Sequence, residues 1–456
     1  MEIMEKRKLL DESYKELEDK KEEIQFLYYN DTLTNIPNRV HGQKNLREII
    51  AKNHSNKKIA VALMGADNFK HINETFNHNI GDRLLKNIGK RLLSSFTYNK
   101  VSRLGGDEFM VVIGDINSHM DVEKNVNRIM EEMKKDFHIE ENIIGINCSI
   151  GVAIYPSHST DIDSLYRYAD IALMEVKRNG GNNLKIFKED LLEKSYKDIQ
   201  MKEKLMEAVR NHTLDIYYQP KVDIHNNNMV GCEALLRWNH PEKGYISPEY
   251  FIGLAEKYNL MKEIDNYVFI KVLKQLKNWI KEGFEPVHVA INISAERFYD
   301  YDFTKRVCTF IEEINIDTNL LNFEITETNI MKNPYKARET LNLIRGKGIS
   351  ISLDDFGTGY SSLNYLKLFP IDTLKIDKSF IEEICYDKVN RTIVEATITM
   401  AKVLDLKIVA EGIEEEEQLA MLKYMGCDEY QGYYFSKPIP AGEFELLLKK
   451  NSESSI

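Results

Sequence analysis

The sequence predicts an α/β protein in which a mixed-sheet domain is followed by a (β/α)8 barrel, with a helix in front of both. Three observations support this fold class. The chain has 456 residues, more than one ordinary hydrophobic core holds together. Helix-like and strand-like patterns alternate from residue 29 to residue 190. After Leu214, eight strand-like runs alternate with helical patterns, which is the number that a (β/α)8 barrel requires.

The first 28 residues are polar and favour a helix. Four apolar residues recur at the seven-residue spacing of a coiled-coil seam: Ile3, Leu10, Leu17 and Ile24. Tyr14 and Tyr28 partly fill the second seam position, but Arg7 and Lys21 also fall there. The helix is therefore either a solvated element that packs on the next domain or a dimerising helix that carries a signal from an upstream sensor domain.

The first domain is predicted over residues 29–187, a helical linker over 188–212 and the barrel over 213–450. The linker is charged and has neither Pro nor Gly, which suits a rigid helix. Within the first domain the predicted elements are strand 58–64, helix 81–93, hairpin 101–112, strand 147–155 and helix 162–177. The hairpin turns at Gly105 and Gly106.

The eight barrel strands are predicted at 216–222, 229–236, 287–293, 321–326, 349–353, 373–376, 407–410 and 430–435. Polar residues fall within or at the end of almost every one: Glu233, Asn292, Glu324, Asp354, Asp355, Lys375, Asp377, Glu411 and Gln431. Chance surface polarity does not explain such a pattern. The carboxyl ends of the strands form the catalytic face of (β/α)8 barrels, so we expect these side chains to converge there.

Five carboxylates among them would converge at the mouth of the barrel and repel one another unless cations lay between them: Glu233, Glu324, Asp354, Asp355 and Glu411. Oxygen ligands favour hard ions, so Mg²⁺ or Mn²⁺ is expected. Two such ions can activate a water and stabilise both oxygens of an in-line phosphoryl displacement. Lys375 points into the same mouth, where it can orient the water or neutralise phosphate charge.

Composition narrows the class of protein. The formal net charge of −11 disfavours nonspecific binding to nucleic acid polymers. The five cysteines are scattered and form no CxxC pair, which predicts a reducing cytoplasm without a disulfide framework or zinc site. Apolar runs are far shorter than the roughly 18 residues of a membrane span, and no signal peptide is visible.

Eight motifs occur in order between residues 198 and 448: YYQP, CEALLRW, NIS, FEITET, SLDDFGTGYSSL, LKID, VAEGIE and QGYYFSKP. This stretch resembles the EAL phosphodiesterases of bacteria, which hydrolyse cyclic-di-GMP. The resemblance implies one cation on Glu233, Asn292, Glu324 and Asp354, and a second on Asp354, Asp355 and Glu411. The sequence departs from the family's pattern at none of these positions.

The same resemblance implies further roles. Lys375 acts on the nucleophilic water, and Asp377 positions Lys375 or the water. The residues expected to contact the dinucleotide are Gln219, Leu235, Arg237, Asp355 and Gln431. Glu327 anchors the mobile loop after Asp354 and Asp355, which in this family couples dimerisation to metal binding.

The first domain resembles the GGDEF domains, which make cyclic-di-GMP from GTP. The resemblance rests on DTLTNIPNR at 31–39, RLGGDEF at 103–109 and CSIGVAIYP at 148–156. It implies a nucleotide-cyclase-like fold, with Asn73 and Asp82 at the guanine base and Asp107 and Glu108 in metal and base roles. Gly105 and Gly106 let a phosphate approach the backbone, while Lys70 and Lys177 can meet phosphates.

Two positions depart from the pattern of active cyclases. Gly65 stands where they have a metal-binding aspartate, and Gly181 replaces a phosphate-binding arginine, for which Arg178 can partly substitute. The RxxD inhibitory-site pattern is absent at residues 96–99. Loss of a metal ligand harms turnover more than guanine recognition. We therefore expect a domain that binds GTP and regulates its neighbour but makes little cyclic-di-GMP; the alternative is a dimerising spacer that binds no nucleotide.

Together these patterns predict a cytoplasmic, homodimeric phosphodiesterase that opens cyclic-di-GMP to linear pGpG with two Mg²⁺ or Mn²⁺ ions. Two alternatives remain open. One is a receptor that binds cyclic-di-GMP without turnover, although receptors of this kind usually lack some metal ligands. The other is a bifunctional cyclase and phosphodiesterase.

Overall fold

A computed structural model describes residues 2–53, 57–357 and 366–454. The chain divides into two compact units, Met1–Ile199 and Gln200–Ile456. The first is a mixed α/β unit and the second is a closed barrel, so the predicted fold class is confirmed.

Six helices lie wholly in the first unit: α1 Glu2–Tyr29, α2 Arg39–Ala51, α3 Phe69–Phe76, α4 His78–Ser95, α5 His119–Lys134 and α6 Ile162–Arg178. Its strands are β1 Lys58–Ala66, β2 Val101–Gly105, β3 Glu108–Ile116, β4 Phe137–Ile139, β5 Asn142–Ile144, β6 Cys148–Tyr155 and β7 Leu184–Ile186. Five of them form a sheet in the order β2-β3-β1-β6-β7, in which only β6 and β7 pair in parallel. The central strand β1 is buried at every position after Lys58, which explains its continuous apolar run.

Helix α1 covers the predicted N-terminal helix. Leu17 and Ile24 of the seven-residue repeat are 66% and 67% exposed, and Tyr14 and Tyr28 are exposed beside them. The side chains of Ile3 and Leu10 lie outside the described residues. The visible half of the repeat is thus an apolar stripe that the described part of this chain leaves uncovered.

Helix α7, Glu189–Arg210, spans most of the predicted linker. Near its start, Leu191 packs with Phe187 and Ala172 of the first unit. Near its end, Leu205 and Ala208 belong to the core of the second unit. Each half of this helix therefore contributes to a hydrophobic core, which its charged composition did not indicate.

The strands of the second unit are β8 Asp215–Asp223, β9 Met229–His240, β10 Gly244–Ile246, β11 His288–Asn292, β12 Leu321–Thr326, β13 Ser350–Phe356, β14 Thr373–Ile376, β15 Lys407–Glu411, β16 Glu429–Gln431 and β17 Ile439–Pro440. Its described helices are α8 Pro248–Lys257, α9 Met261–Lys281, α10 Ala295–Phe298, α11 Tyr301–Ile314, α12 Glu327–Met331, α13 Pro334–Arg345, α14 Lys378–Ile381, α15 Lys388–Val403, α16 Glu416–Met425 and α17 Ala441–Ser454. Strands β9 and β11 to β16 pair in parallel, and β8 closes the barrel between β16 and β9.

Strand β8 runs antiparallel to both of its neighbours, unlike the strands of an all-parallel (β/α)8 barrel. The reason is local. A tight turn joins β8 to β9: Asp223 Oδ1 accepts hydrogen bonds from the backbone N–H groups of His225 and Asn226, and Asn227 adopts a left-handed conformation. So short a connection can join only antiparallel strands. As a result, successive inward residues of β8 descend from the mouth of the barrel toward its opposite end.

No described helix combines the length and apolar character that a membrane crossing requires. Cys148, Cys232, Cys385 and Cys427 are all free thiols.

Candidate active site

The structure brings the predicted polar residues together at the mouth of the barrel. Strands β9, β12, β13, β14 and β15 contribute Glu233, Glu324, Asp354, Lys375 and Glu411, respectively. The side chains are deeply placed: Lys375 and Glu324 are each 1% exposed, Glu233 6% and Asp354 8%. Charged groups at this depth are stable only if they are paired, so their partners determine what the site can do.

Lys375 is the centre of the cluster. Its Nζ lies 2.6 Å from Glu411 Oε1, 2.9 Å from Glu324 Oε2, 3.2 Å from Asp354 Oδ1 and 3.5 Å from Glu233 Oε2. These attractions outweigh the cost of burial and raise the pKa of Lys375 well above its ordinary value. The four carboxylates therefore favour the ammonium form of this side chain.

Lys221 is a second buried ammonium in the cluster, and sequence reasoning missed it. It lies on β8 two residues after Gln219, and its Nζ is 2.5 Å from Glu324 Oε1. Although burial opposes ionisation, the ammonium groups of Lys221 and Lys375 lower the pKa of Glu324 to about 2. The two-residue spacing from Gln219 could have indicated an inward side chain, because alternate strand residues share a face.

The remaining carboxylates are less fully compensated. Burial, reinforced by repulsion from Asp354 and Glu233, raises the pKa of Glu411 to about 8 despite its contact with Lys375. Burial and repulsion from Glu324 also raise the pKa of Glu233. Burial and Asp354 raise that of Asp355. The ionised forms of these carboxylates are therefore disfavoured in this cluster, and divalent cations would stabilise them.

A network of amides fixes Glu233. Asn292 Nδ2 donates to Glu233 Oε1 at 2.6 Å, and Gln431 Nε2 donates to Glu233 Oε2 at 2.7 Å and to Gln219 Oε1 at 2.9 Å. Gln219 in turn donates to the carbonyl of Ser436 at 3.2 Å. The Oε1 atom of Gln431 is buried and has no hydrogen-bond partner among the described residues. These bonds turn the Asn292 and Gln431 amides toward the cluster.

The donor set fits a hard divalent cation. Asp354, Asp355 and Glu411 each offer a carboxylate oxygen, and the three atoms lie within 4.8 Å of one another. Asp355 holds a left-handed backbone conformation with φ of 54°, and its N–H donates to Asp354 Oδ1 at 3.0 Å. Such a conformation costs about 1 kcal/mol or more in a residue other than glycine, and it places two consecutive carboxylates at the mouth instead of on opposite faces.

A cavity of about 270 Å³ opens beside the carboxylates and is lined by Gln219, Glu233, Leu235, Asp354, Lys375, Glu411, Gln431 and Tyr433, among others. A larger cavity of about 480 Å³ lies at the other end of the barrel and reaches Lys221, but it contains none of the predicted metal ligands. The chemistry of the side chains, and not cavity size, identifies the smaller one as the candidate active site.

Three predicted residues lie around this centre rather than within it. Arg237 on β9 donates to the carbonyl of Leu236 at 2.8 Å. Asp377 caps helix α14 by accepting from the N–H of Ser379 at 3.0 Å, and its charge also acts on Asp355. Glu327 is 1% exposed and accepts from the N–H of Gly357 at 3.0 Å, at the start of the loop after Asp355. The rest of the predicted mobile loop, 358–365, lies outside the described residues.

The turn at Gly105 and Gly106, called the GGDEF turn below, lies beside the end of β1, where Gly65 pairs with Glu108. Gly105 and Gly106 both have positive φ values and nothing within 4 Å of where a Cβ would be, so the turn is open to a ligand. Lys177 Nζ lies 3.8 Å from Asp107 Oδ2. The structure thus brings the turn, Asp107 and Lys177 together.

The predicted base-recognising residues lie on α3 and α4. Asn73 Oδ1 is buried without a hydrogen-bond partner among the described residues, and a Cβ at Gly81 would lie 1.9 Å from it. Glycine at 81 is therefore required for Asn73 to occupy this position. Asp82 follows Gly81 and is exposed, as is Lys70 one turn before Asn73.

The expectation that Arg178 partly takes the place of the phosphate-binding arginine, which Gly181 replaces, is wrong in this structure. Its Nη1 lies 3.2 Å from Asp198 Oδ2 and 3.6 Å from Glu175 Oε2, so the guanidinium is held by those two carboxylates. At Gly181, which has a positive φ, a Cβ would lie 3.0 Å from the Asp67 carboxylate. Asp67 itself accepts from the N–H of Asn182 at 2.8 Å and from Ser149 at 2.6 Å, so it holds this loop in place.

Comparison with known proteins gives two family matches. The EAL domain matches residues 202–438, and the family described as diguanylate cyclase, GGDEF domain, matches residues 28–183. The chain is 34% identical over 425 residues to the cyclic di-GMP phosphodiesterase NbdA of Pseudomonas aeruginosa, covering 92% of this chain and 54% of NbdA. It is 34% identical over 417 residues to the bifunctional diguanylate cyclase/cyclic di-GMP phosphodiesterase MucR of the same organism, covering 91% of this chain and 61% of MucR.

Among solved structures, the PaMucR phosphodiesterase in complex with c-di-GMP is 38% identical, with a TM-score of 0.52. It covers 54% of this chain, and this chain covers 99% of it. The chain spans only about half to two thirds of the length of the two curated relatives, 54% and 61%.

Proposed function

We propose that the barrel hydrolyses cyclic-di-GMP to linear pGpG. The premise is that this chain belongs to the EAL domain family and carries a GGDEF domain ahead of its EAL domain. The observation that carries the proposal is the convergence of five carboxylates around Lys375 at the mouth of the barrel. Relatives named as phosphodiesterases of this dinucleotide, and a related domain in complex with it, support the choice of substrate.

The oxygen donors favour Mg²⁺ or Mn²⁺. Glu233, Asn292, Glu324 and Asp354 would hold one ion, and Asp354, Asp355 and Glu411 the other. When bound, the pair would lower the pKa of a shared water and stabilise the oxygens of the displacement at phosphorus.

The protein's own side chains orient the water, position the dinucleotide and fix the following loop. The ammonium of Lys375, held among four carboxylates, orients the attacking water and offsets phosphate charge. Gln219 and Gln431 form a bonded pair beside Glu233, at which the dinucleotide would be positioned together with Leu235, Arg237 and Asp355. Glu327 fixes the start of the following loop through Gly357.

The direct test is turnover of cyclic-di-GMP by the purified chain, with products separated by chromatography. We expect pGpG to appear with Mg²⁺ or Mn²⁺ and to stop appearing when a chelator is added. Binding of cyclic-di-GMP without turnover under every metal condition would establish the receptor alternative instead.

For the first unit we propose regulation by GTP rather than synthesis. Gly65 removes a carboxylate from the cyclase pattern, whereas Asn73, Asp82 and the GGDEF turn are retained. The rate of cyclic-di-GMP hydrolysis should therefore change when GTP is added. An unchanged rate at saturating GTP would reject regulation.

The bifunctional alternative has one argument in its favour, the bifunctional name of the relative MucR. Incubation of the Glu233→Gln variant with GTP and Mg²⁺ separates the two possibilities, since any cyclic-di-GMP made would persist. Its accumulation would show that Gly65 does not abolish the cyclase.

We further propose that the protein is a homodimer in the cytoplasm and receives its signal through α1. The exposed stripe of Leu17 and Ile24 supports dimerisation, and four free thiols suit a reducing compartment. Light scattering of the purified chain tests the dimer: a monomer at all concentrations would reject it.

A further inference from the structure

Lys177 fills the space that a side chain at position 65 would occupy. A Cβ built on Gly65 would lie 2.5 Å from Lys177 Nζ and 2.7 Å from Lys177 Cε, both far inside normal contact distance. It would also lie 3.8 Å from Asp107 Oδ2. Lys177 on α6 therefore reaches across β1 and places its ammonium in the space that a side chain at position 65 would occupy.

The ammonium also faces the acidic groups of the pocket. Lys177 Nζ lies 3.8 Å from Asp107 Oδ2, and its charge acts favourably on Glu108 and on Asp170. Arg39 acts on Glu108 and Asp170 in the same sense. A positive charge thus already faces the carboxylates that would otherwise attract a cation.

These residues do not fit the divalent ions that a cyclase of this family uses. One carboxylate ligand is missing at Gly65, and an ammonium stands in its place. The described residues of the first unit hold no grouping of three close metal-ligand side chains like the one formed by Asp354, Asp355 and Glu411 in the barrel. A divalent ion would have to bind beside Lys177, with charge repulsion and too few ligands.

The remaining features suit a nucleotide. The GGDEF turn is open and its two glycines present backbone N–H groups without side chains, as an anion requires. The Asn73 amide has a buried oxygen without a hydrogen-bond partner among the described residues, next to the exposed Asp82. A positive charge for the phosphates is supplied by Lys177, which is partly exposed.

We propose that the first unit binds a guanine nucleotide without a divalent cation, and that Lys177 takes over the charge-neutralising role of the metal. The proposal rests on the function proposed above for the first unit and deepens it. It implies that the two nucleotide sites of one chain differ in their need for metal: the barrel requires divalent ions to turn over its substrate, whereas the GGDEF pocket retains GTP in their absence.

The test is the dissociation constant of GTP for the full chain, measured by calorimetry in EDTA and again in excess Mg²⁺. We expect the two values to agree within about threefold. Lys177→Met should weaken binding in EDTA by about tenfold or more, the usual worth of a charge-assisted contact. Lys188→Met, which changes an exposed lysine outside the pocket, is the matched control and should bind like the wild type.

Gly65→Asp provides a second, independent variant. The close contacts of the new side chain would be with the flexible end of Lys177, and Asp107 Oδ2 lies at an ordinary contact distance of 3.8 Å from the added Cβ, so the fold should tolerate it. It restores a ligand and adds negative charge, so GTP binding should become weaker in EDTA and recover when Mg²⁺ is added. Hydrolysis of cyclic-di-GMP by each variant, assayed on the same preparation, reports that the barrel is intact.

Loss of wild-type GTP binding in EDTA with recovery in Mg²⁺ would overturn the proposal. So would equal binding by Lys177→Met, or no binding of GTP under either condition. None of these outcomes touches the barrel, whose proposed activity fails only if cyclic-di-GMP is not hydrolysed.

Discussion

Lys375 Nζ lies 2.6 Å from Glu411 Oε1, the shortest of its four contacts with carboxylates at the mouth of the barrel. The ammonium is held where cations would otherwise be needed. In the proposed reaction it would share this space with the metal ions and the substrate phosphate.

Lys375→Met is expected to lower kcat for cyclic-di-GMP about 100- to 1,000-fold, because it removes one preorganised positive group from the reacting centre. The affinity for Mn²⁺ should not fall, because the substitution also removes a charge that repels the ions. Lys378→Met is the control, since Lys378 lines the same cavity but is exposed. A kcat for Lys375→Met within a few-fold of the wild type would contradict this role.

Lys221→Met is expected to destabilise the metal-free protein by about 3 to 5 kcal/mol, because it leaves Glu324 buried without one of its two partners. Lys57→Met is the matched control: its pair with Asp115 is 3.1 Å long, but the two side chains are 43% and 77% exposed, so its loss should cost under about 1 kcal/mol. Urea unfolding in EDTA measures both. Equal losses in the two variants would show that burial of Lys221 carries no special weight.

Asp265 gives the stability a pH dependence that can be isolated. Burial raises its pKa from 3.8 to about 6, although Ser294 and Arg297 oppose the shift. The folded state thus binds a proton that the unfolded state has released, so this group's contribution to stability falls as pH rises from about 4 through 6.

Asp265→Asn should remove that loss. The free energy of unfolding of the variant minus that of the wild type should be about 2 to 3 kcal/mol larger near pH 8 than near pH 4, which means that the variant is relatively more stable at high pH. Chemical unfolding of both proteins at the two pH values provides the measurement. A difference that does not vary with pH would show that Asp265 titrates normally.

Metal binding should stabilise the fold. We expect Mg²⁺ or Mn²⁺ to bind the folded carboxylate cluster and not the unfolded chain, so the Tm should rise with ion concentration and fall on chelation. Glu411→Gln keeps the shape of the side chain but removes a ligand charge, and its Tm should respond much less. An equal rise in both proteins would place the stabilising ions elsewhere.

The barrel and most of the site could be predicted because strand patterns fix where each strand ends, and polar residues such as Glu411 and Gln431 stand at those ends. Lys221 escaped prediction because a lysine within a strand is ordinarily a surface residue. The closed barrel shows that it points inward to Glu324. The antiparallel direction of β8 was also missed, because the pattern of a strand-like run does not indicate whether the strand is parallel or antiparallel to its neighbours.

In the first unit, the missing carboxylate at Gly65 was predictable by residue type alone. That Lys177 fills the vacated space was not, because the two residues lie on elements far apart in sequence and meet only through packing of α6 on the sheet. Arg178, the next residue, points to Asp198 instead. Which of two adjacent basic residues faces a pocket depends on the phase of a helix, which is uncertain from sequence.

Metal-dependent hydrolysis is proposed at the cluster that contains Glu233, which Asn292 and Gln431 hold in place. The most direct measurement compares cyclic-di-GMP hydrolysis by the wild type and Glu233→Gln in Mn²⁺, with binding of the dinucleotide measured in parallel. We predict steady production of pGpG by the wild type, and at least a roughly 100-fold lower rate with binding retained in the variant. Equal rates in the two proteins, or no hydrolysis by the wild type, would contradict the claim.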